Sequence, residues 1–150
     1  MPDLPKKKVG LIACSGEELP EGTVTRRAVR KVLETLRPDD TVTLCLPLFL
    51  AGGEGERAFA RHYPTIAVDG CDKRCAARAT EKYSAKPVAS IVVTEIAKSC
   101  GCGKIGTARR LNPEGLRLAD EVAGKIVEGT DRLLDKQHSR TAQGSDRGKP

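Results

Sequence analysis

Short continuous apolar runs and helical apolar repeats alternate along most of the chain. The run at residues 9–13 is of the kind that forms a strand buried on both faces of a parallel sheet. A helical repeat follows it and ends before Pro38, a residue type that stops helices. The members of this repeat are Val24, Ala28, Val29, Val32, Leu33 and Leu36. The pattern predicts a first strand followed by a crossover helix.

The same alternation continues to the end of the chain. Strands are predicted at residues 41–46, 65–68 and 87–96, and helices at residues 54–61, about 72–83 and from Asn112 onward. Asn112 and Pro113 suit the N-cap and the first turn of that long final helix. Strands that alternate with helices predict a single Rossmann-like or flavodoxin-like α/β domain, with a parallel sheet of about four strands and helices on both faces.

The two ends of the chain are polar and charged and lack apolar periodicity. We expect residues 1–7 and the basic tail at residues 139–150 to be disordered, and residues 8–138 to form one domain. Much of the net charge of +6 lies in the ends, since residues 1–8 carry +2 and residues 136–150 carry +3. The chain has two Phe, two Tyr and no Trp for base stacking. We therefore expect no nucleic-acid partner.

The apolar runs and the cysteine content bear on the compartment. No apolar run approaches the roughly 18 residues that a membrane-spanning helix needs, so no membrane partner is expected. Lys6–Lys8 and the Leu-Ile-Ala-Cys sequence after them resemble a lipoprotein leader, but the apolar stretch between them is shorter than such leaders require. The preferred interpretation is a cytoplasmic chain. In that reducing compartment, six cysteines indicate metal binding or redox chemistry rather than disulfides.

The cysteines lie at or after the carboxyl ends of the predicted strands. Cys14 ends the first strand, Cys45 lies near the end of the second, and Cys71 follows the third. Cys100 and Cys102 follow the fourth. The carboxyl ends of parallel strands share one edge of a sheet, where α/β folds place their ligand sites. The thiols are therefore expected to converge.

Cys71 and Cys75 have the most informative spacing. Because they lie four residues apart on the first turn of a predicted helix, they are expected to face the same way and to bind one ion together. The positive end of a helix also favours the thiolate form, and Gly70 permits a sharp turn before them. Asp69 is expected to accept a hydrogen bond from this turn, or to orient the metal ligands as a partner behind them.

Three segments of the chain resemble the DGC domain family, which is named for an Asp-Gly-Cys motif and described as zinc-binding. The segments are Ile12-Ala13-Cys14-Ser15-Gly16, Cys45-Leu46, and Val68-Asp69-Gly70-Cys71 with Cys75. The resemblance covers roughly residues 8–97. It implies one metal site, made by Cys14, Cys45, Cys71 and Cys75. Four thiolates suit tetrahedral Zn²⁺ and leave no open position for catalysis, so a metal-binding protein is more expected than an enzyme.

The segment Ser99-Cys100-Gly101-Cys102-Gly103 lies outside that four-cysteine pattern. Its thiol pair could close the metal site as additional ligands, accept a metal from it, or cycle with a redox partner. Six thiols also leave an iron-sulfur cluster open as the alternative cofactor, although no ferredoxin spacing is present. Thiol exchange and capture of a soft metal or metalloid are further alternatives. The expected partners are a metal ion and a protein that exchanges thiols or receives the metal.

Three motifs that indicate other functions are discounted. Residues 101–106 fit G-x-G-x-x-G formally, but no ribose-binding acid at a strand end follows them. Ile105 stands where a P-loop requires Ser or Thr. The arginine that would close a C-x5-R phosphate loop after Cys14 is absent, since Pro20 occupies that position. Dinucleotide binding, P-loop chemistry and thiol-phosphatase chemistry are therefore not expected.

Overall fold

Four parallel strands form the central sheet of the computed structural model, which describes residues 7–146, with side chains described for residues 7–137. The strands are β1 (Val9–Ala13), β2 (Thr41–Thr43), β3 (Thr65–Asp69) and β4 (Ala89–Val92). Their order in the sheet is β2-β1-β3-β4. Leu11 in β1 pairs with Thr43 on one side and with Ile66 on the other. The predicted α/β fold with a four-stranded parallel sheet is confirmed.

Helices connect the strands and cover the sheet. They are α1 (Pro20–Lys31), α2 (Leu46–Leu50), α3 (Glu54–Arg57), α4 (Phe59–His62), α5 (Cys75–Tyr83), α6 (Val93–Ser99) and α7 (Pro113–Asp146). A π-helical segment, Val32–Leu36, continues α1. The N-cap predicted for the final helix is present, because Asn112 Oδ1 accepts a hydrogen bond of 2.9 Å from the backbone N–H of Gly115.

Successive residues of the central strands point to opposite faces of the sheet, and apolar side chains pack both faces. Leu11 and Ile66 belong to a core shared with α1, α6 and α7. Ile12 and Ala67 belong to a second core, shared with α2, α4 and α5. These four side chains are at most 1% exposed. Burial on both faces accounts for the continuous apolar run at residues 9–13.

The fourth predicted strand is too long at its carboxyl end. β4 ends at Val92, and α6 begins at the next residue, Val93. Val93 is fully buried and Ile96 packs against the same core, so these apolar residues follow a helical spacing. A short apolar run does not by itself distinguish a strand from a helix. The second strand is also shorter than predicted, because α2 starts at Leu46.

Helix α7 packs on the face of the sheet that α1 also covers. The predicted domain boundary at residue 138 falls inside α7, whose backbone continues to Asp146. Residues 1–6 and 147–150, which belong to the ends predicted to be disordered, lie outside the described residues. In the part of the chain that the structure describes, no helix is both long and apolar enough to cross a bilayer.

The loop between β1 and α1 packs its backbone directly against the first turn of α1. Gly16 has a φ angle of +43°, a left-handed conformation that favours glycine. A Cβ atom on Gly22 would lie 2.1 Å from the carbonyl oxygen of Gly16 and 2.4 Å from its Cα atom. Any side chain at position 22 would therefore push this loop away from α1.

Alanine substitution should have opposite effects at two helical glycines. Gly22→Ala should lower the free energy of unfolding by about 1–3 kcal/mol, because the backbone of Gly16 must move to admit the methyl group. Gly124→Ala should raise it by up to about 1 kcal/mol, because alanine favours a helix. Position 124 is exposed, and a Cβ atom there would meet no atom within 4 Å. Denaturant unfolding measures both changes, and effects of the same sign would contradict the contact between Gly16 and Gly22.

Candidate metal centre

The carboxyl ends of β1 and β3 lie side by side at the point of the sheet edge where the chain connections diverge, a position that we call the crevice. The chain leaves β1 toward β2 on one side and leaves β3 toward β4 on the other. Folds of this class bind their ligands between strands whose connections diverge in this way. Cys14 follows β1, Asp69 ends β3, and Gly70 and Cys71 follow it. The Asp-Gly-Cys segment and Cys14 therefore lie at this crevice.

The Cys14 thiol is held between the end of β3 and the first turns of α1. The backbone N–H of Cys14 donates to the carbonyl oxygen of Val68 (2.9 Å), and Cys14 Sγ accepts a hydrogen bond from the backbone N–H of Gly70 (3.3 Å). The Thr25 hydroxyl lies 3.6 Å from the same sulfur and donates to the carbonyl oxygens of Cys14 and Gly22. Cys14 is 8% exposed. Thr25 was not predicted as a site residue. Its one signal in the sequence is that a polar residue type occurs within the apolar repeat of α1.

Burial keeps Cys14 protonated. It raises the pKa of this thiol, and it outweighs the hydrogen bonds with Thr25 and Gly70, which lower that pKa. The nearby charges of Asp69 and Cys75 raise the pKa further. A metal ion that bound Cys14 would therefore have to displace its proton.

Asp69 determines where α5 begins. Its buried carboxylate accepts the backbone N–H groups of Ala76 (2.7 Å) and Ala77 (3.1 Å), the two donors that an N-cap side chain ordinarily satisfies. Burial raises the pKa of this carboxyl, while the two N–H groups and the charge of Arg74 lower it. Asp69 therefore joins the end of β3 to the first turn of α5, and that turn carries Cys75.

Gly70 allows the end of β3 to approach α1 closely. A Cβ atom on Gly70 would lie 3.0 Å from the carbonyl carbon of Glu21 and from the backbone nitrogen of Gly22. The carbonyl oxygen of Gly70 accepts the N–H of Thr94 at the start of α6 (3.3 Å). In this motif the aspartate thus caps a helix, the glycine permits close packing, and the cysteine presents a thiol.

Cys71 and Cys75 do not share the first turn of a helix, so the predicted geometry of this pair is wrong. Residues 71–74 form a turn, and α5 begins at Cys75. Arg74 has a φ angle of +51°, immediately before the helix. Because the Asp69 side chain caps α5, residues 71–74 form a turn before the helix and are not part of it. Cys71 is half-buried, and Cys75 is exposed.

Cys45 lies beyond the end of β2, the strand that neighbours β1. It takes the N-cap position of α2 and is exposed. Among the residues that the structure describes, no group of three or more Cys, His, Asp or Glu side chains is arranged to hold a metal ion. The thiols of Cys14, Cys45, Cys71 and Cys75 thus follow neighbouring strand ends without forming a closed ligand set.

Cys100 and Cys102 form a separate thiol pair, with sulfurs 3.3 Å apart. Helix α6 separates this pair from the end of β4. Both cysteines pack against the core that α1 and α7 share, whereas Cys14 belongs to the core on the opposite face of the sheet. Cys14 and the Cys100–Cys102 pair therefore occupy different environments.

Comparison with known proteins identifies the segment that carries these cysteines. The sequence model of the DGC domain matches residues 10–109. The matched segment includes all six cysteines and ends before α7. No curated protein and no solved structure matches the chain.

Removal of the Asp69 carboxylate should destabilise the protein. Asp69→Ala should lower the free energy of unfolding by about 1–3 kcal/mol, because the N–H groups of Ala76 and Ala77 lose their shared acceptor in a buried position. Asp72→Ala removes an exposed carboxylate from the following turn, and as the matched control it should change this energy by less than about 0.5 kcal/mol. Denaturant unfolding followed by circular dichroism compares the two variants. Equal effects would contradict the capping role of Asp69.

In the reduced, metal-free protein, iodoacetamide should alkylate Cys14 more slowly than the exposed Cys45 and Cys75. The Cys14 sulfur is buried, and its raised pKa keeps it in the unreactive thiol form. We expect its rate to be roughly tenfold or more below the other two. Peptide mass spectrometry after timed alkylation gives the three rates. If Cys14 reacted as fast as Cys45, its sulfur would be accessible and ionised, contrary to this geometry.

Proposed function

The chain belongs to the DGC domain family, and on that basis we propose that it is a metal-binding protein that holds a Zn²⁺ ion through cysteine thiolates. The proposed ligands are Cys14, Cys45, Cys71 and Cys75. The observation that carries the proposal is the hydrogen bond from the Gly70 N–H to the Cys14 sulfur. This bond joins Cys14, which follows β1, to the Asp-Gly-Cys segment that follows β3. Cysteines from separate parts of the chain are therefore held at the same point of the sheet edge.

The chemistry of the donor set fits zinc. Four sulfur ligands match the tetrahedral coordination of structural zinc sites, which leave no position open for a substrate. All six cysteines are free, so no disulfide competes for the proposed ligands. Bound zinc would stabilise the thiolate form of each ligand, including that of Cys14, whose pKa is otherwise raised by burial.

Two helix ends add electrostatic support for thiolates at the crevice. α5 begins at Cys75, and the first turn of α1 packs against Gly70, which contacts the Cys14 sulfur. The positive end of a helix favours negative charge on a neighbouring group. Both helix ends would therefore favour the ionised form of these ligands if a metal ion were bound.

Closure of the proposed site would bring its four thiols together, including that of Cys45. Its neighbours on both sides are anchored. The Thr43 hydroxyl donates to the carbonyl oxygen of Leu11 (2.7 Å), and Leu46 is buried against the core on the α5 face. Cys45 therefore lies in a short segment between two anchored residues. A metal ion that joined Cys45 to the other ligands would tie β2 and α2 to the central strands.

We place this function in the cytoplasm, where a reducing environment keeps thiols available as ligands. A closed four-thiolate site needs no catalytic residue, since it stabilises the fold or passes its ion to a partner protein. The proposed function is therefore binding of a metal ion rather than a reaction.

Protein purified anaerobically without chelator should contain about one zinc per chain and should be colourless. Elemental analysis and a visible absorption spectrum measure both properties. Replacement of zinc by Co²⁺ should give the visible absorption of a tetrahedral thiolate complex. Iron with acid-labile sulfide and a brown colour would instead indicate an iron-sulfur cluster, and the zinc proposal would be wrong.

Serine substitution should weaken zinc binding similarly at each proposed ligand, because a closed site needs all four thiolates. The variants are Cys14→Ser, Cys45→Ser, Cys71→Ser and Cys75→Ser. We expect each substitution to lower the affinity for zinc roughly 100-fold or more. Removal of a group that only orients a ligand has a smaller effect. Cys102→Ser is the matched control and should bind zinc as the wild type does. Wild-type affinity in Cys45→Ser would indicate three protein ligands and an open position.

A further inference from the structure

The chain turns sharply after α6, and this turn brings Cys100 and Cys102 together. Gly101, between them, has a φ angle of +64°. The N–H of Cys102 donates to the carbonyl oxygen of Ala97 (2.9 Å), and the N–H of Gly101 donates to that of Lys98 (3.3 Å). These two hydrogen bonds define the Schellman motif that ends many helices. The motif holds the two sulfurs 3.3 Å apart.

The two sulfurs of this pair have different partners. Cys100 Sγ donates a hydrogen bond to the carbonyl oxygen of Ile96 (2.9 Å). Burial and the neighbouring Cys102 raise the pKa of the Cys100 thiol, so this sulfur keeps its proton. Cys102 Sγ accepts a hydrogen bond from Nη2 of Arg117 (3.8 Å), so a cationic group lies beside this sulfur. The same nitrogen also donates to Glu114 Oε1 (3.1 Å). Cys102 is therefore placed to act as a nucleophile, with Cys100 beside it.

The pair is separate from the proposed zinc site. The groups bonded to its sulfurs come from α6 and α7. The groups bonded to the Cys14 sulfur come from α1 and from the residue after β3. The two environments also belong to cores on opposite faces of the sheet. The pair is therefore available for a chemistry of its own.

We propose that Cys100 and Cys102 form a thiol-disulfide redox couple that reduces the disulfide of a small thiol. This inference goes beyond the proposed zinc site and does not depend on it. The two cysteines are half-buried, and the neighbouring Gly101, Gly103 and Arg117 are exposed. A disulfide in solution can therefore reach the Cys102 sulfur.

The reaction consists of two exchange steps. The Cys102 thiolate attacks one sulfur of the substrate disulfide, which forms a mixed disulfide and releases one thiolate. That thiolate takes up the proton that Cys102 gave to the solvent. Cys100 then loses its proton and attacks the Cys102 sulfur, so that the Cys100–Cys102 disulfide forms and the second substrate thiolate leaves with that proton. The substrate gains two electrons and the cysteine pair loses two, and a thiol reductant restores the pair.

Oxidised glutathione, added to the reduced protein, tests this sequence of steps. The wild type should form the Cys100–Cys102 disulfide and release free glutathione, as shown by peptide mass spectrometry. Cys100→Ser should stop at a glutathione adduct on Cys102, and Cys102→Ser should leave Cys100 largely unmodified. A stable adduct on Cys102 in the wild type would overturn the proposal. Equally fast modification of Cys100 in Cys102→Ser would overturn the assigned roles.

The contact between Arg117 and Cys102 predicts that substitution of Arg117 slows the attack of Cys102 on the substrate disulfide. Arg117→Ala should slow the first exchange about threefold at low salt, and Arg117→Lys should keep most of the rate. The effect should shrink at high salt, because an exposed charge is screened. Arg132→Ala removes another exposed arginine of α7 and should leave the rate unchanged. Equal rates in the wild type and Arg117→Ala at low salt would contradict the role of the guanidinium.

The left-handed conformation of Gly101 predicts that substitution at this position changes the rate of disulfide closure and not the rate of the first attack. A Cβ atom at position 101 or 103 would meet nothing within 4 Å, but only Gly101 has a left-handed φ angle. Gly101→Ala should therefore slow closure of the disulfide several-fold without changing the first attack, because the turn that joins the sulfurs is strained. Gly103→Ala is the control. Equal closure rates in the two variants would contradict the role of the turn.

Zinc content separates this proposal from the zinc site. Cys100→Ser and Cys102→Ser should keep the zinc content of the wild type. A loss of zinc in either variant would make the pair part of the metal site and would overturn the redox couple. A wild-type protein without zinc whose pair still cycles would overturn the zinc proposal alone.

Discussion

The buried carboxylate of Asp69 makes the contact on which the candidate metal centre depends. By accepting two N–H groups of α5, it sets where that helix begins, and hence where Cys75 lies relative to the end of β3. The next residue, Gly70, donates its N–H to the Cys14 sulfur. One short segment thus positions thiols from two strands and a helix. Burial of a carboxylate is costly unless hydrogen bonds compensate for it, so the helix cap and the site are maintained together.

The sheet could be predicted from the sequence because strands buried on both faces leave continuous apolar runs, as at residues 9–13. The start of α5 could not be predicted in this way. An N-cap is sought immediately before the first helical residue, whereas α5 is capped by the more distant Asp69. α6 was missed because Val93 extends the apolar run of β4. The same limit applies to the thiols. Their positions after strand ends follow from the pattern, but their separation depends on loops, and Cys45 is exposed at the start of α2.

The fold gives one residue type two chemical environments. On one side Cys14 is surrounded by a packed core, and burial holds a proton on its sulfur. On the other side Cys102 is half-buried and receives a hydrogen bond from an exposed guanidinium. A buried thiol is protected from oxidants, whereas a disulfide in solution can reach a half-buried thiol. The sheet between them would keep the proposed metal ligation and the proposed thiol exchange on different sulfurs of one small domain.

Electrostatic repulsion limits how many of the proposed zinc ligands can be ionised together. Thiolates that meet without a cation repel one another, and the charges of Asp69 and Cys75 already raise the pKa of Cys14. The fold limits this repulsion, because burial raises the pKa of the Cys14 thiol and because Cys45 and Cys75 are exposed to solvent. Binding of zinc at the proposed site would therefore be coupled to loss of the Cys14 proton.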